Sequence, residues 1–388
     1  MAGTLTVDTI QSDSSYVSTL NVASKMNFAA GMQIGGQDTT FGGMRNRIIN
    51  GAMMVSQRGT SFSGLTDGYN ATYALDRWAW QETGTSTGVQ TISQDTTSPP
   101  VGFINSLKVL TTTAHAVGSG NAYGIFQHIE GLNIADLDWG KATAKPITVS
   151  FWVKSSLIGT FSGSIKNGAN FDRSYVFNYT INSANTWEYK TVTIPGDTTG
   201  TWPTDNTRGI MLNFDLGTGS TYQGTANTWT AVNNASTSGS QSVVGTLNAT
   251  WNITGVQLEK GSAASAFENR QYGQELALCQ RYCVAYNTVS GQPVAIFGAT
   301  SASTGAAYVY LPVTPRVNPT GIVDKTNNWV MNNYGPGSIN TNALSFHSST
   351  SATIGVSMSG GASMTAGYSG QLYSSGGAGQ FYTTGSEL

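Results

Sequence analysis

Charge is what this sequence has least of. Lys, Arg, Asp and Glu make up 10% of its 388 residues, against about 25% in an ordinary soluble domain. Most acid–base chemistry runs through such side chains, so the composition speaks against a metabolic enzyme. A net charge of -2 leaves no basic face to neutralise phosphates, and nucleic acid is not an expected partner. Cysteine is nearly absent too. Cys279 and Cys283 stand four apart, which on a helix is one face but a poor geometry for a bond between them. They read as reduced, buried small side chains. The alternative, a zinc half-site, would need His115, His128 or His347, all distant in sequence. No apolar run approaches the ~18 residues of a spanning helix. No basic stretch followed by an apolar one marks a secretory signal. The expectation is a chain made in a cytoplasm, with no membrane insertion.

What is abundant is glycine, with 47 residues, and aromatic side chains, at 10%. That aromatic content argues against disorder. Near the N-terminus Leu20-Asn21-Val22, Met26-Asn27-Phe28 and Met32-Gln33-Ile34 recur with a period of six residues. Apolar residues two apart share one face of a strand. A single chain has nothing to bury that stripe against. Three chains about a common axis do, so residues 1–43 read as a trimeric stalk and attachment segment, with Val22, Phe28 and Ile34 as interface candidates. A loosely ordered linker is the other reading. Gly31, Gly35 and Gly36 disfavour a helix.

From 44 to 267 apolar residues alternate with polar ones between turn-forming Gly, Asn, Asp and Pro. Ile147/Val149/Phe151/Val153, Ile210/Leu212/Phe214/Leu216 and Tyr175/Phe177/Tyr179/Ile181 mark three strands. Trp187–Ile194 and Tyr73–Gln81 mark two more. Many short strands with turn-rich links indicate an antiparallel sandwich, with a jelly roll as its expected form. Along 251–259, Trp251 and Ile253 share one face while Val256 and Leu258 fall on the other. A one-residue bulge at Gly255 would restore a single apolar face.

The run Trp251-Asn252-Ile253-Thr254-Gly255-Val256-Gln257-Leu258-Glu259-Lys260-Gly261, followed by Ala266-Phe267-Glu268, resembles the closing strand of a domain common in bacteriophage fibre proteins. So do Asn46-Arg47-Ile48-Ile49-Asn50-Gly51-Ala52-Met53, Gln57-Arg58-Gly59-Thr60 and Leu75-Asp76-Arg77-Trp78 near the domain start. The segment Tyr272–Tyr282 and the proline-rich run Leu311–Thr320 resemble parts that follow in such fibres. The resemblance implies a jelly-roll module similar to carbohydrate-binding modules, a second C-terminal β domain, a virion location after assembly in the host cytoplasm, and a homotrimer.

Residues 268–286 read as a connecting helix. Tyr272, Leu276, Cys279 and Cys283 follow the spacing of one helical face. That face either packs on the sandwich or meets two copies on a threefold axis, which makes Leu276, Cys279 and Cys283 interface candidates. Beyond Asn287 the charged side chains are Arg316, Asp324, Lys325 and Glu387 alone. Alternation at Val294/Ile296, Tyr308/Tyr310 and Ile354/Val356/Met358 predicts a smaller β-sandwich over 287–388. The full expectation is an all-β chain: stalk, jelly roll, short helix, C-terminal sandwich.

Candidate chemistry is sparse. A glycan hydrolase needs two carboxylates about 5–9 Å apart, and Asp76, Glu130, Asp136, Asp138 and Asp215 form no recognisable motif. Asp76 beside Arg77 reads as a structural pair. Asp136 and Asp138 could ligate a structural Ca²⁺, though an exposed turn explains them as well. No other cofactor is expected. Neutral glycans are held by aromatic faces and amides, so Trp152, which points away from its strand's apolar face, and Trp329 and Tyr334, set among amides, are the glycan-contact candidates. The reading is a non-enzymatic phage fibre, a tail or head appendage, joined to another virion protein through residues 1–43 and touching host surface polysaccharide. A capsid decoration protein without a receptor is the alternative, and a glycan-degrading tailspike a minor one. The charge-poor C-terminal third is the expected contact surface.

Overall fold

The computed structural model describes residues 33–34, 37–38 and 44–388, except 65–71, 85–86, 327, 334–337 and 361–363. Val22, Phe28 and Tyr334 lie outside the described residues. Ile34 belongs to the strand Gln33–Ile34, which pairs antiparallel with Gln37–Asp38.

The middle of the chain builds two sheets. The seven-stranded one runs Trp229–Thr230, Ser174–Ile181, Gly159–Asn167, Arg208–Thr218, Ala122–Glu130, Ala79–Thr83, Thr72–Tyr73. The six-stranded one runs Glu188–Ile194, Ile147–Ser155, Thr250–Lys260, Ser106–Thr113, Val89–Asp95, Ser61–Ser63. Neighbouring strands are antiparallel throughout. The chain crosses between sheets from 106–113 to 122–130, on to 147–155 and back to 159–167, and again from 188–194 to 208–218 to 250–260. That alternation between layers makes it a jelly roll.

The two inner faces fill one core with the side chains their period of two delivers. Val149, Phe151 and Val153 meet Phe161, Phe177, Leu212 and Phe214, all fully buried. The closing strand Thr250–Lys260 keeps Trp251, Ile253, Val256 and Leu258 in that same core. Its register slips between Thr254 and Gln257, and Gly255 takes φ 61°. The bulge read from the sequence is there. It is also where the first motif docks. Val256 N–H donates to Gly51 O at 3.0 Å and Arg47 N–H to Leu258 O at 2.8 Å. The Asn46 side chain accepts from Ile48 and Leu258 N–H at 2.9 and 3.1 Å and donates to Val256 O at 3.1 Å. A Cβ at Gly51 would lie 2.2 Å from Val256 O. Two of the motifs that carry the fibre resemblance, 46–53 and 251–261, are thus one contact.

Tyr73–Gln81 is not one strand. Leu75 O accepts from Trp78 N–H at 2.9 Å and closes a turn, and Arg77 stands at φ 69°. The turn folds Thr72–Tyr73 back on the strand Ala79–Thr83 as an antiparallel pair and leaves Trp78 in the core.

The C-terminal third forms a second sandwich. A three-stranded sheet, Ala285–Thr288, Gly379–Thr384, Gly321–Asp324, faces a seven-stranded one, Ser338–Asn342, Trp329–Asn333, Ser369–Ser374, Pro293–Ala299, Thr304–Tyr310, Thr353–Ser359, Ser345–Ser349. Phe381, from the smaller sheet, packs with Trp329, Phe297, Ile354, Val356 and Leu372. Ile296, Tyr308 and Tyr310 turn outward instead, while Val294 packs partly buried against that core. The α-helix spans Tyr272–Gln280, shorter than expected. Among the described residues no helix is long and apolar enough to cross a membrane.

Cys279 and Cys283 are 1% exposed within a single chain, so neither is available to a threefold axis. Ile49, Val55, Tyr282 and Leu388 cover Cys279, and Cys283 Sγ donates to Thr383 O at 3.5 Å. Leu276 is half-buried against the same cluster, while Tyr272 is 53% exposed. The helix turns Glu275 inward, because its carboxylate accepts the Asn50 N–H. Burial pushes both thiols up.

The chain end ties the parts together. Glu387 Oε1 accepts from Arg58 at 2.6 Å and its Oε2 from Arg77 at 2.5 Å. The two guanidinium side chains are 5% and 1% exposed. Arg77 also donates to His128 O at 2.6 Å and lies 3.6 Å from the Tyr282 ring centroid. Burial works against the Arg77 charge, and Glu387 more than restores it, so the group titrates above its ordinary value. Arg316 donates to Ser386 O and Glu387 O at 2.9 and 2.7 Å. Arg281 and Tyr282 close on Glu130 at 2.6 and 2.7 Å.

Glu387→Ala leaves both guanidinium groups buried without a carboxylate, and chemical denaturation of the full chain is expected to show a loss of about 3–5 kcal/mol. A loss below ~1 kcal/mol, the range of surface pairs, would contradict this. Gly255→Ala should cost more than about 1–2 kcal/mol for the left-handed backbone alone, since its Cβ would also lie 2.5 Å from the Phe103 ring. An unchanged unfolding midpoint would show that the bulge relaxes.

Candidate ligand cavity on the jelly roll

The outer face of the seven-stranded sheet carries what its inner face excludes. Along Ala122–Glu130, Tyr123, Ile125 and Ile129 go to the core, and Phe126 and His128 to the opposite side. Lys166, two residues beyond Ser164, and Met211, between Ile210 and Leu212, share that side. Phe126, Met211 and Ala79 form a small apolar cluster, with Tyr73 and Phe171 against it. Residues 219–240 fold over this face. Ser174 Oγ donates to Val232 O at 2.6 Å and accepts the Asn234 N–H at 3.1 Å. Ser236 Oγ donates to Asp215 Oδ2 at 2.7 Å.

The cover leaves a half-closed cavity of about 170 Å³. Phe126, Phe171 and Met211 line it, with the His128 ring between the two phenylalanines, together with Lys166, Asn233 and Tyr222, and Arg208 lies at the exposed rim. Lys166 is 2% exposed and donates from Nζ to Asn233 Oδ1 at 2.8 Å, a neutral acceptor. Burial lowers its pKa to about 8, and Asp215 opposes that only weakly. Asp215 is itself engaged by Ser236, Thr218 and Gly217. His128 is 3% exposed, its ring 5.1 Å from Phe126 and 6.2 Å from Phe171. Its Nδ1 is buried with no partner. Burial first, then Arg208, Arg77 and Lys166, hold its pKa well below the ordinary imidazole value, so the ring is neutral. Among the described lining residues Glu82 is the single carboxylate, and Trp80 Nε1 donates to it at 3.3 Å. A second, more open cavity of about 270 Å³ adjoins the chain end, and Arg208 lines both.

The residues singled out from the sequence lie elsewhere. Trp329 is fully buried. Its ring meets Phe381 edge-on at 5.4 Å, and its Nε1 donates to Asp324 Oδ1 at 3.0 Å, so it is core and not a contact surface. Trp152 is half-buried on the open face of the six-stranded sheet, 5.4 Å from the Tyr189 ring. Asp136 pairs with Arg47 at 2.9 Å, and Asp138 with Lys141 at 2.6 Å and Thr143 at 2.7 Å. Among the described residues no three His, Cys, Asp or Glu gather as a metal site. Asp76 and Arg77 join one buried network through different partners, Asp76 accepting from Gln57 N–H and Nε2, each at 2.6 Å. The cavity residues were missed because no local motif surrounds Lys166 or His128, and their strands, 159–167 and 122–130, were not among those marked by alternation. What encloses them is a cover whose Gly/Ser/Asn-rich sequence looks like a link.

No family model matches the chain, and no curated protein sequence is similar to it. Among solved structures it is similar to the enzymatically active domain of tailspike protein 4 of bacteriophage CBA120, at 15% identity and TM-score 0.30, over 56% of this chain and 21% of that one. The chain therefore spans about a fifth of that tailspike domain. It is similar to a putative sugar binding protein from Bacteroides thetaiotaomicron, at 15% identity and TM-score 0.34, over 55% of this chain and 99% of that one. A family 11 carbohydrate-binding module from Clostridium thermocellum, in complex with a mixed-linked tetrasaccharide, is similar at 14% identity and TM-score 0.25, over 54% of this chain and 99% of that one.

Unfolded, Lys166 keeps its proton to near the ordinary value of 10.5; folded, it releases it near 8. Between those values the unfolded chain binds the extra proton, so stability from this residue rises with pH. The stability advantage of Lys166→Met over the natural chain should therefore shrink by on the order of 3 kcal/mol from pH 8 to 10.5. A difference that stays flat in paired denaturation curves would contradict the buried lysine.

Proposed function

We propose that this protein is a homotrimeric, non-enzymatic fibre or appendage of a bacteriophage particle, attached through residues 1–43, and that its jelly-roll cavity receives a sugar residue of a host surface glycan. The observation that carries the glycan reading is the cavity itself. Phe126, Phe171 and Met211 offer apolar surface to the carbon face of a sugar ring, and Lys166 and Asn233 in the same lining offer hydrogen-bonding groups. Such a division is what orients a small ligand in a concave site. One lining carboxylate, Glu82, falls short of the pair that glycoside hydrolysis requires, which favours holding over cleaving. The virion role rests on the fibre-like motifs, two of which, 46–53 and 251–261, meet at the bulge on Gly255.

A glycan array probed with the full chain is expected to give binding that falls on the order of tenfold with Phe171→Ala and is unchanged by Trp152→Ala, while light scattering gives the mass of three chains. Binding that follows Trp152 instead moves the contact to the six-stranded sheet. An array with no bound glycan would overturn the receptor reading, and a monomer mass would overturn the fibre reading.

A further inference from the structure

We propose that the cavity selects an acidic sugar, its carboxylate received by Lys166 inside and by Arg208 at the rim; this rests on the reading that the cavity binds a glycan. The balance of charge inside the site carries the inference. Lys166 Nζ is buried against a neutral amide oxygen of Asn233, with no carboxylate in ion-pair reach among the described residues. Asp215, the nearest candidate, is taken up by Ser236, Thr218 and the Gly217 N–H. Glu82 is engaged by the Trp80 indole. Arg208 is exposed and makes no ion pair with any described residue. A buried cation held only by a neutral acceptor is an unsatisfied charge in a poor solvent, and an entering anion supplies what is missing.

His128 lines the cavity between Phe126 and Phe171, but its Nδ1 is closed off from the open space, so the ring serves as wall and the cations supply the donors. Hydrogen bonds between a carboxylate and charged N–H donors are the strong kind.

Size and shape define the rest of the ligand. About 170 Å³ is below the range of about 300–1,000 Å³ for drug-sized sites, so one ring fits and a chain does not. The occupant is a terminal or branching residue. The apolar wall of Phe126, Phe171 and Met211 distinguishes a sugar acid from a bare inorganic anion, which would leave that wall uncovered.

Calorimetric titration of the full chain at pH 7 tests this with methyl glycosides of glucuronic and galacturonic acid, their neutral glucose and galactose counterparts, and inorganic phosphate. The acidic glycosides are expected to bind on the order of tenfold or more tighter than the neutral ones, and Lys166→Met and Arg208→Ala should each abolish the difference. Arg208 is exposed, so its variant keeps the test open should Lys166→Met fail to fold. Equal binding of acidic and neutral glycosides, weakened alike by Phe171→Ala, would overturn the acidic selection and leave the glycan reading standing. Phosphate binding as tightly as the sugar acids would make this an anion site without sugar recognition and overturn the proposal. Binding of none of the glycosides would overturn both readings.

Discussion

One carboxylate, Glu387, accepts from two guanidinium groups that arrive from the far end of the sequence, Arg58 and Arg77. Most of the architecture turns on that contact. Arg77 reaches it only because the turn at 74–78 takes a left-handed residue and breaks what would otherwise be one strand. Arg58 belongs to the segment that leads from the first motif into the sandwich. Glu387 itself comes from the C-terminal sandwich and is held in place by Arg316 on the carbonyls of 386 and 387. The ion pairs therefore fasten the second sandwich to the first. A charge buried this deeply is a liability unless fully partnered, so each member makes the others necessary.

Scarcity of charge acquires a different meaning in this light. Few ionisable side chains does not mean few that matter. Three of the four charged residues beyond Asn287 act inside the protein: Arg316 and Glu387 at the chain end, and Asp324 under the Trp329 indole and the Leu344 N–H. The surface is left to amides and hydroxyls. Against that background Lys166, buried with a neutral amide oxygen as its acceptor, stands out. The clamp also reaches the cavity, because Arg77 donates to the carbonyl of His128, the residue whose ring faces the ligand space. Anchoring the chain end and shaping the cavity floor are done by the same guanidinium.

The parts of the fold written in local pattern were legible in the sequence. Period-two alternation in 147–153 and 210–216 marked core strands, and the parity change around Gly255 located the bulge. What failed was whatever depends on partners remote in sequence. Trp329 among Asn residues looked exposed, yet Phe381 and Asp324 enclose it. The 4-3-4 spacing of Tyr272, Leu276, Cys279 and Cys283 left packing within the chain and a threefold axis both open, and remote residues decide it: Glu275 is drawn inward to the Asn50 N–H, and Ile49, Val55 and Leu388 of the same chain close over Cys279. Lys166 and His128 were invisible for the same reason. Alternation tells which face of a strand a side chain takes, and nothing about whether a later loop, here 219–240, will cover that face.

If the chain end fastens the two sandwiches as described, they should melt together. Differential scanning calorimetry of the natural chain measures this directly, through the ratio of calorimetric to van't Hoff enthalpy for residues that make up both sandwiches. The account predicts a single transition with the two enthalpies equal. Two resolved transitions, with the C-terminal sandwich unfolding alone while the jelly roll persists, would contradict it.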